Sequence, residues 1–244
     1  RMEDGSQLIC KEPVVINNII NEIAAELEVM PENERFTLHT DFNEQLPISP
    51  LHWMIADAKA CLTLECTRKG MRLYDNPFGV LTNNPPFPQQ LFRLRDYMGL
   101  SPAAPANRFA PGLELSPYSY GMGAMGLPGD LSSQSRFVRA AFALHNSPDC
   151  TSQEESISQF FHLLGSVEQV KGCCRLEDGS LEHTIYTSCC NTDKGIYYYT
   201  SYENQQITAV DMHRENLDGN KVITFPLIDK TQIKIQNQPQ GGFL

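Results

Sequence analysis

Two groups of short β-type runs, separated by a pair of amphipathic helices, constrain the fold of this 244-residue chain more than any other feature. The first group is predicted at 52–57, 61–67, 71–75 and 79–81, with a tight link at Ala58 and Lys59 and a turn at Asn76 and Pro77. Links this short join antiparallel neighbours. The second group is predicted at 182–190, 195–202 and 206–212, with a hairpin at Glu203 and Asn204 and a last strand at 222–227. Between the groups, Phe137, Ala140, Ala141 and Leu144 share one helical face. Ile157, Phe160, Phe161 and Leu164 share another, behind a capping box at Ser152 and Glu155. Further helices are predicted at 14–30, closed by Pro31, and at 88–100, opened by Pro88. Regular β-α-β alternation is missing, which argues against a doubly wound sheet. The order is that of an α+β protein in which two sheets are each covered by helices on one side, a four-layer αββα sandwich. No internal repeat and no linker divides the chain.

Composition excludes several classes. Apolar residues at 41% and charged residues at 20% are those of a globular protein, not of a disordered chain or a coiled coil. No apolar run approaches the ~18 residues of a membrane-spanning helix. The balance of 19 basic against 29 acidic residues, with no basic run, speaks against nucleic-acid binding. Eight cysteines include the adjacent pairs Cys173–Cys174 and Cys189–Cys190. Neighbours on a strand point to opposite faces, so these pairs do not converge on a metal, and none has C-x-x-C spacing. They are expected to be buried thiols in a reducing, cytoplasmic compartment.

Most motif matches dissolve on inspection. Gly121, Gly123 and Gly126 spell a dinucleotide fingerprint, but Leu127, Pro128 and Gly129 follow where the motif needs a helix. The scattered histidines lack metal-ligand spacing, and no G-x-S-x-G elbow is present. Two polar clusters remain. Thr82, Asn83, Asn84 and Pro85 end an apolar run; an Asn amide there can donate to a developing oxyanion, or the cluster is simply an Asn–Pro turn. In the run from Gly129 to Arg139, Ser132 or Ser133 is a candidate N-cap, which puts Arg136 in the first helical turn. A cation is disfavoured there by the helix dipole, so Arg136 is either a solvated surface residue or one with a carboxylate to hold.

The segments GVLTNNP (79–85), MGLPGDLSSQSRFVRAAF (125–142), FFHLLGSVEQVKG (160–172), YTSCCNTDKGIYYYTSYENQQITAVDM (186–212) and LPISPLHWMIAD (46–57) resemble the bile salt hydrolases of the choloylglycine hydrolase and penicillin V acylase family. The resemblance implies an N-terminal-nucleophile hydrolase that cuts the amide joining a bile acid to glycine or taurine, with no cofactor. Such enzymes are commonly homotetramers and act on conjugated bile acids rather than on nucleic acid or membrane. It implies that Asn83 helps stabilise the oxyanion, that Arg136 stands beside the nucleophile, and that Phe42 and Leu46 line the steroid pocket.

In that family the nucleophile is the thiol of an N-terminal cysteine, whose own amine serves as base. Residue 1 here is Arg, and the surroundings of Cys10 do not match the family's opening. The expectation is an N-terminally truncated member, inactive alone. Residues 1–35 match the family poorly, 36–230 form the choloylglycine hydrolase-like domain, and 231–244 form a tail. The alternatives are a penicillin V acylase-type amidase and a non-catalytic bile-acid-binding remnant.

Overall fold

The computed structural model describes residues 52–67 and 70–237. The helix expected at 14–30, and Cys10, Phe42 and Leu46, lie outside the described residues. The chain divides into two compact units, one ending at Ala141 and the next beginning at Phe142.

The first unit contains a three-stranded antiparallel sheet of β1 (His52–Ala56), β2 (Cys61–Thr67) and β3 (Gly70–Asp75), in the order β1-β2-β3. Asp57 makes the first link tight: its Oδ1 accepts from the backbone N–H groups of Lys59 and Ala60 at 2.7 and 2.8 Å. The expected fourth strand at 79–81 does not form. Gly79 turns left-handed at φ 60°, and the buried Asn76 side chain donates to the Val80 carbonyl at 3.0 Å, where a neighbouring strand would otherwise bond. A second Asn76 bond, 3.1 Å to Thr63 Oγ1, satisfies a hydroxyl sealed inside β2.

Helix α1 spans Phe87–Arg93 and tightens into a 3-10 turn at Leu94–Tyr97, in place of one helix to residue 100. Its entry is fixed from the sheet, since Phe87 N donates to Glu65 Oε1 at 2.8 Å. Phe87 is fully buried between Tyr74 and Phe137, with ring centroids 6.2 Å from each. Phe137 belongs to α2 (Ser133–His145), whose buried stripe is Phe137, Val138 and Ala141. Leu144, expected on that face, is 39% exposed near the helix end.

The long stretch between 101 and 130 closes on itself. Ser101 N donates to the Gly123 carbonyl at 2.9 Å, and a Cβ on Gly123 would stand 1.9 Å from the Ala103 carbonyl oxygen. Of the dinucleotide-like glycines, Gly123 therefore serves close backbone contact, while Gly121 and Gly126 take left-handed φ of 80° and 96°. Only a three-residue 3-10 turn, Met122–Ala124, begins among them.

In the second unit, α3 (Gln153–Gly165) turns its half-buried apolar face toward β6. Its cap is the expected Ser152. Ser152 Oγ accepts from Glu155 N at 3.1 Å, while Glu155 Oε2 reaches back to Thr151 N at 2.7 Å. The strand expected at 182–190 is split, because Thr184 pairs with Gln169 instead: its N–H donates to the Gln169 carbonyl, and its hydroxyl accepts from Gln169 N. What forms is a small β4 (Cys174–Arg175) and β5 (Leu181–Glu182) pair, then the sheet β6 (Tyr186–Asn191), β7 (Ile196–Ser201) and β8 (Thr208–Asp211). The central strand β7 carries buried Tyr198, Tyr199, Thr200 and Ser201. The last strand expected at 222–227 is absent. Instead of ladder bonds, that stretch is followed by side-chain bonds at Ile228, whose N–H donates to Tyr199 Oη at 3.2 Å.

Contrary to expectation, none of the seven described cysteines is buried: Cys150, Cys173 and Cys190 are exposed and the other four half-buried. Within each adjacent pair, alternation turns one thiol outward. No described helix is long and apolar enough to cross a membrane.

Glu65 is 6% exposed, and its Oε2 has no hydrogen-bond partner. Burial pushes its pKa above 4.5, partly opposed by the bond from Phe87 N. A raised carboxyl pKa means that the folded state holds the proton more tightly, so this group's contribution to stability falls as pH rises through and above 4.5. Glu65→Gln keeps the acceptor for Phe87 N and removes the charge. It should raise Tm at pH 7 by on the order of a few degrees, with the gain shrinking toward pH 4.5. A thermal melt series from pH 4.5 to 7.5 checks this; a gain that grows toward acid would refute it.

Candidate active site

Asn83 and Arg136, 53 residues apart, come together in the first unit: Arg136 Nη2 donates to Asn83 Oδ1 at 2.7 Å. A guanidinium has only donors, so it must face the amide's oxygen. The amide is thereby fixed with Nδ2, a double donor, directed to the opposite side. Arg136 is held at its other nitrogen, where Nη1 donates to the Leu131 carbonyl at 2.9 Å. Its charge in the first helical turn thus has a purpose, spanning the loop before α2 and the loop after β3. Asn83 is exposed and Arg136 half-buried, as a site open to a ligand requires.

The loop before α2 is rigid because its own polar groups saturate it. Arg139 Nη1 donates to the carbonyls of Pro128 at 2.9 Å and Asp130 at 2.6 Å. Asp130 takes Ser132 N on Oδ1 at 2.9 Å and Ser135 Oγ on Oδ2 at 2.5 Å. Hydrogen bonds from Ser132 first, then Ser135, lower its pKa from 3.8 to about 2. Ser132 is the cap foreseen from the sequence, its Oγ accepting from Ser135 N at 3.3 Å.

The loop bearing Asn83 is clamped by residues that sequence reading missed. Gln90, fully buried in α1, donates from Nε2 to the carbonyls of Pro85 at 2.6 Å and Thr82 at 3.3 Å. Thr82 Oγ1 lies 2.9 Å from both Gln90 Oε1 and the Ser133 carbonyl. Asn84 N donates to Ser133 Oγ at 3.2 Å, and that hydroxyl donates to the Asn84 carbonyl. A signal existed: Phe87, Gln90 and Leu94 follow helical spacing, which puts a glutamine on an apolar stripe. Phe42 and Leu46 lie outside the described residues. Among the described residues no cluster of three His, Cys, Asp or Glu side chains could hold a metal.

The structure aligns with a cysteine-to-alanine variant of the conjugated bile acid hydrolase from Clostridium perfringens at a TM-score of 0.72 and 35% identity, over 89% of this chain and 65% of that one. A bile salt hydrolase/transferase from Lactiplantibacillus plantarum is 49% identical over 215 residues, 88% of this chain and 66% of that protein. The penicillin V acylase from Agrobacterium tumefaciens aligns at a TM-score of 0.52 over 82% of this chain and 52% of that one, at 19% identity, a likeness of fold alone. Residues 13–225 match the profile of the linear amide C–N hydrolases, choloylglycine hydrolase family. The chain belongs to that family. It spans less than two thirds of the length of these relatives.

The depressed pKa of Asp130 has a signed consequence. Its stabilising bonds are fully present above about pH 4 and are lost as pH falls toward 2. Asp130→Asn should lower Tm at pH 7 and flatten the acid limb of the stability profile between pH 4 and 2. Equal acid sensitivity in variant and parent, by circular dichroism, would refute this account of the cap.

Proposed function

We propose that this chain carries the oxyanion-stabilising part of a bile salt hydrolase, cleaving the amide of glycine- or taurine-conjugated bile acids. The carrying observation is the Asn83–Arg136 hydrogen bond, which presents a fixed amide donor at a ligand-accessible surface. As a thiolate attacks the substrate carbonyl, charge appears on the carbonyl oxygen, and Asn83 Nδ2 donates to it most strongly in the transition state. Arg136 orients that amide and supplies positive charge that favours a thiolate over a thiol. The thiol, by family resemblance, is that of an N-terminal cysteine. Greater likeness to bile salt hydrolases than to the penicillin V acylase supports bile salts as the substrate class. Exposed Phe109, Tyr118 and Tyr120 support assembly into an oligomer, a homotetramer by family. Free thiols at Cys61, Cys150, Cys173, Cys189 and Cys190 support a cytoplasmic location.

The assay follows release of glycine from glycocholate and taurine from taurocholate by the chain joined to the family's opening segment with its N-terminal cysteine. Asn83→Ala should lower kcat about a hundredfold with little change in KM. Arg136→Ala should lower kcat as well, shift the activity profile to higher pH, and fail to add fully to Asn83→Ala, because the arginine acts partly through the amide. A folded Asn83→Ala variant with parental turnover would overturn the assignment.

A further inference from the structure

We propose that Gln90 is the positioning residue of this site, aiming the Asn83 amide from inside the core; the inference rests on the catalytic reading of Asn83 given above. Among the described residues, two side chains hold four backbone groups between Thr82 and Pro85. Gln90 takes the Thr82 carbonyl on one side and the Pro85 carbonyl on the other. Ser133 takes both the N–H and the carbonyl of Asn84. The two clamps are tied together through Thr82 Oγ1, which lies 2.9 Å from Gln90 Oε1 and from the Ser133 carbonyl.

The two clamps are not equivalent. Gln90 is fully buried in α1, and its helix is anchored at its first residue by the bond from Phe87 N to Glu65 Oε1. Its carboxamide has no freedom to follow the loop, so the loop must follow it. A carboxamide is also the one neutral side-chain group that donates twice from one end while accepting at the other. Glutamate would set charge against two carbonyl oxygens, and methionine would leave both carbonyls without a donor. The Arg136 bond reaches only the Asn83 side chain, so without Gln90 the backbone between Thr82 and Pro85 is released while that bond remains. Asn83 would then be present but misdirected. A misplacement near 1 Å can cost on the order of a hundredfold in rate.

The test uses the 244-residue chain and two variants, Gln90→Met and the isosteric Thr82→Val. The Nδ2 proton pair of Asn83, assigned by its disappearance in Asn83→Ala, reports orientation directly by NMR. In the parent the two protons should be well dispersed; in both variants they should move toward the shifts of a free, exposed amide, while the melting transition stays cooperative. Unchanged Asn83 signals in the folded variants would overturn the proposal; should Gln90→Met fail to fold, Thr82→Val decides alone. In the glycocholate assay, Gln90→Met should lower kcat at least about tenfold with KM within about twofold, and should cost nothing further on an Asn83→Ala background. An equal loss in both backgrounds would show that Gln90 acts independently of Asn83 and would also overturn it. If Asn83→Ala itself leaves kcat intact, the catalytic reading fails, and the NMR result still decides whether Gln90 directs the amide.

Discussion

The meeting of two phenylalanine rings sets the geometry of the first unit. Phe87 and Phe137 are both fully buried and pack edge to face at 6.2 Å, an arrangement favoured by the ring quadrupoles beyond the area it buries. Each ring belongs to a different helix, and each helix carries one half of the apparatus around Asn83. Three residues after Phe87 comes Gln90; one residue before Phe137 comes Arg136. The apolar contact therefore fixes the separation at which the polar contacts must work. Polar specificity is built on a hydrophobic distance.

The polar half of the unit is arranged to leave few choices. Arg136 has only donors and meets a carbonyl oxygen at each end. Asp130 has only acceptors and meets a backbone N–H and a hydroxyl. Gln90 has both and spends its two ends differently. Groups of single polarity cannot flip into an alternative network of equal energy, which suits the role proposed for Asn83 of holding a dipole still before charge develops. Glu65 is the costly member. One of its oxygens caps α1 while the other is buried without a partner.

Much of this was legible in the sequence, and the rest failed for identifiable reasons. Periodicity located β1 to β3, the two central helices and the strands β6 to β8 from apolar spacing, although of these only β2, α2 and β7 carry fully buried hydrophobic side chains. It overreached at 79–81, where the Val80 carbonyl accepts from the Asn76 side chain, and at 222–227, where apolar residues run in strand-like order but form no ladder. Apolar content guarantees neither a ladder partner nor burial: Val222 is 93% exposed. Asn83 and Arg136 were singled out as polar clusters, yet their residue types alone were equally those of a turn and a surface. What set them apart came from resemblance, and their bond to each other spans a separation that no local pattern encodes. Gln90 went unnoticed because a buried amide looks like any other polar residue unless its helical phase is followed.

The closure of the stretch between Ser101 and Gly123 has a consequence for how this family can vary. Gly123 admits no side chain against the Ala103 carbonyl, and its own carbonyl takes Ser101 N, so the two ends of the loop are locked as backbone. Everything between them is a ring hung from a fixed clasp. Lengthening such a ring costs only about 0.6 kcal/mol per doubling, and the strain stops at the clasp. Phe109, Tyr118 and Tyr120 on that ring can therefore be exchanged, and the ring itself lengthened or shortened, without passing displacement along the backbone to Asp130 and Arg136. The clasp turns one surface into a module whose evolution is mechanically insulated from the clamped loop a few residues downstream.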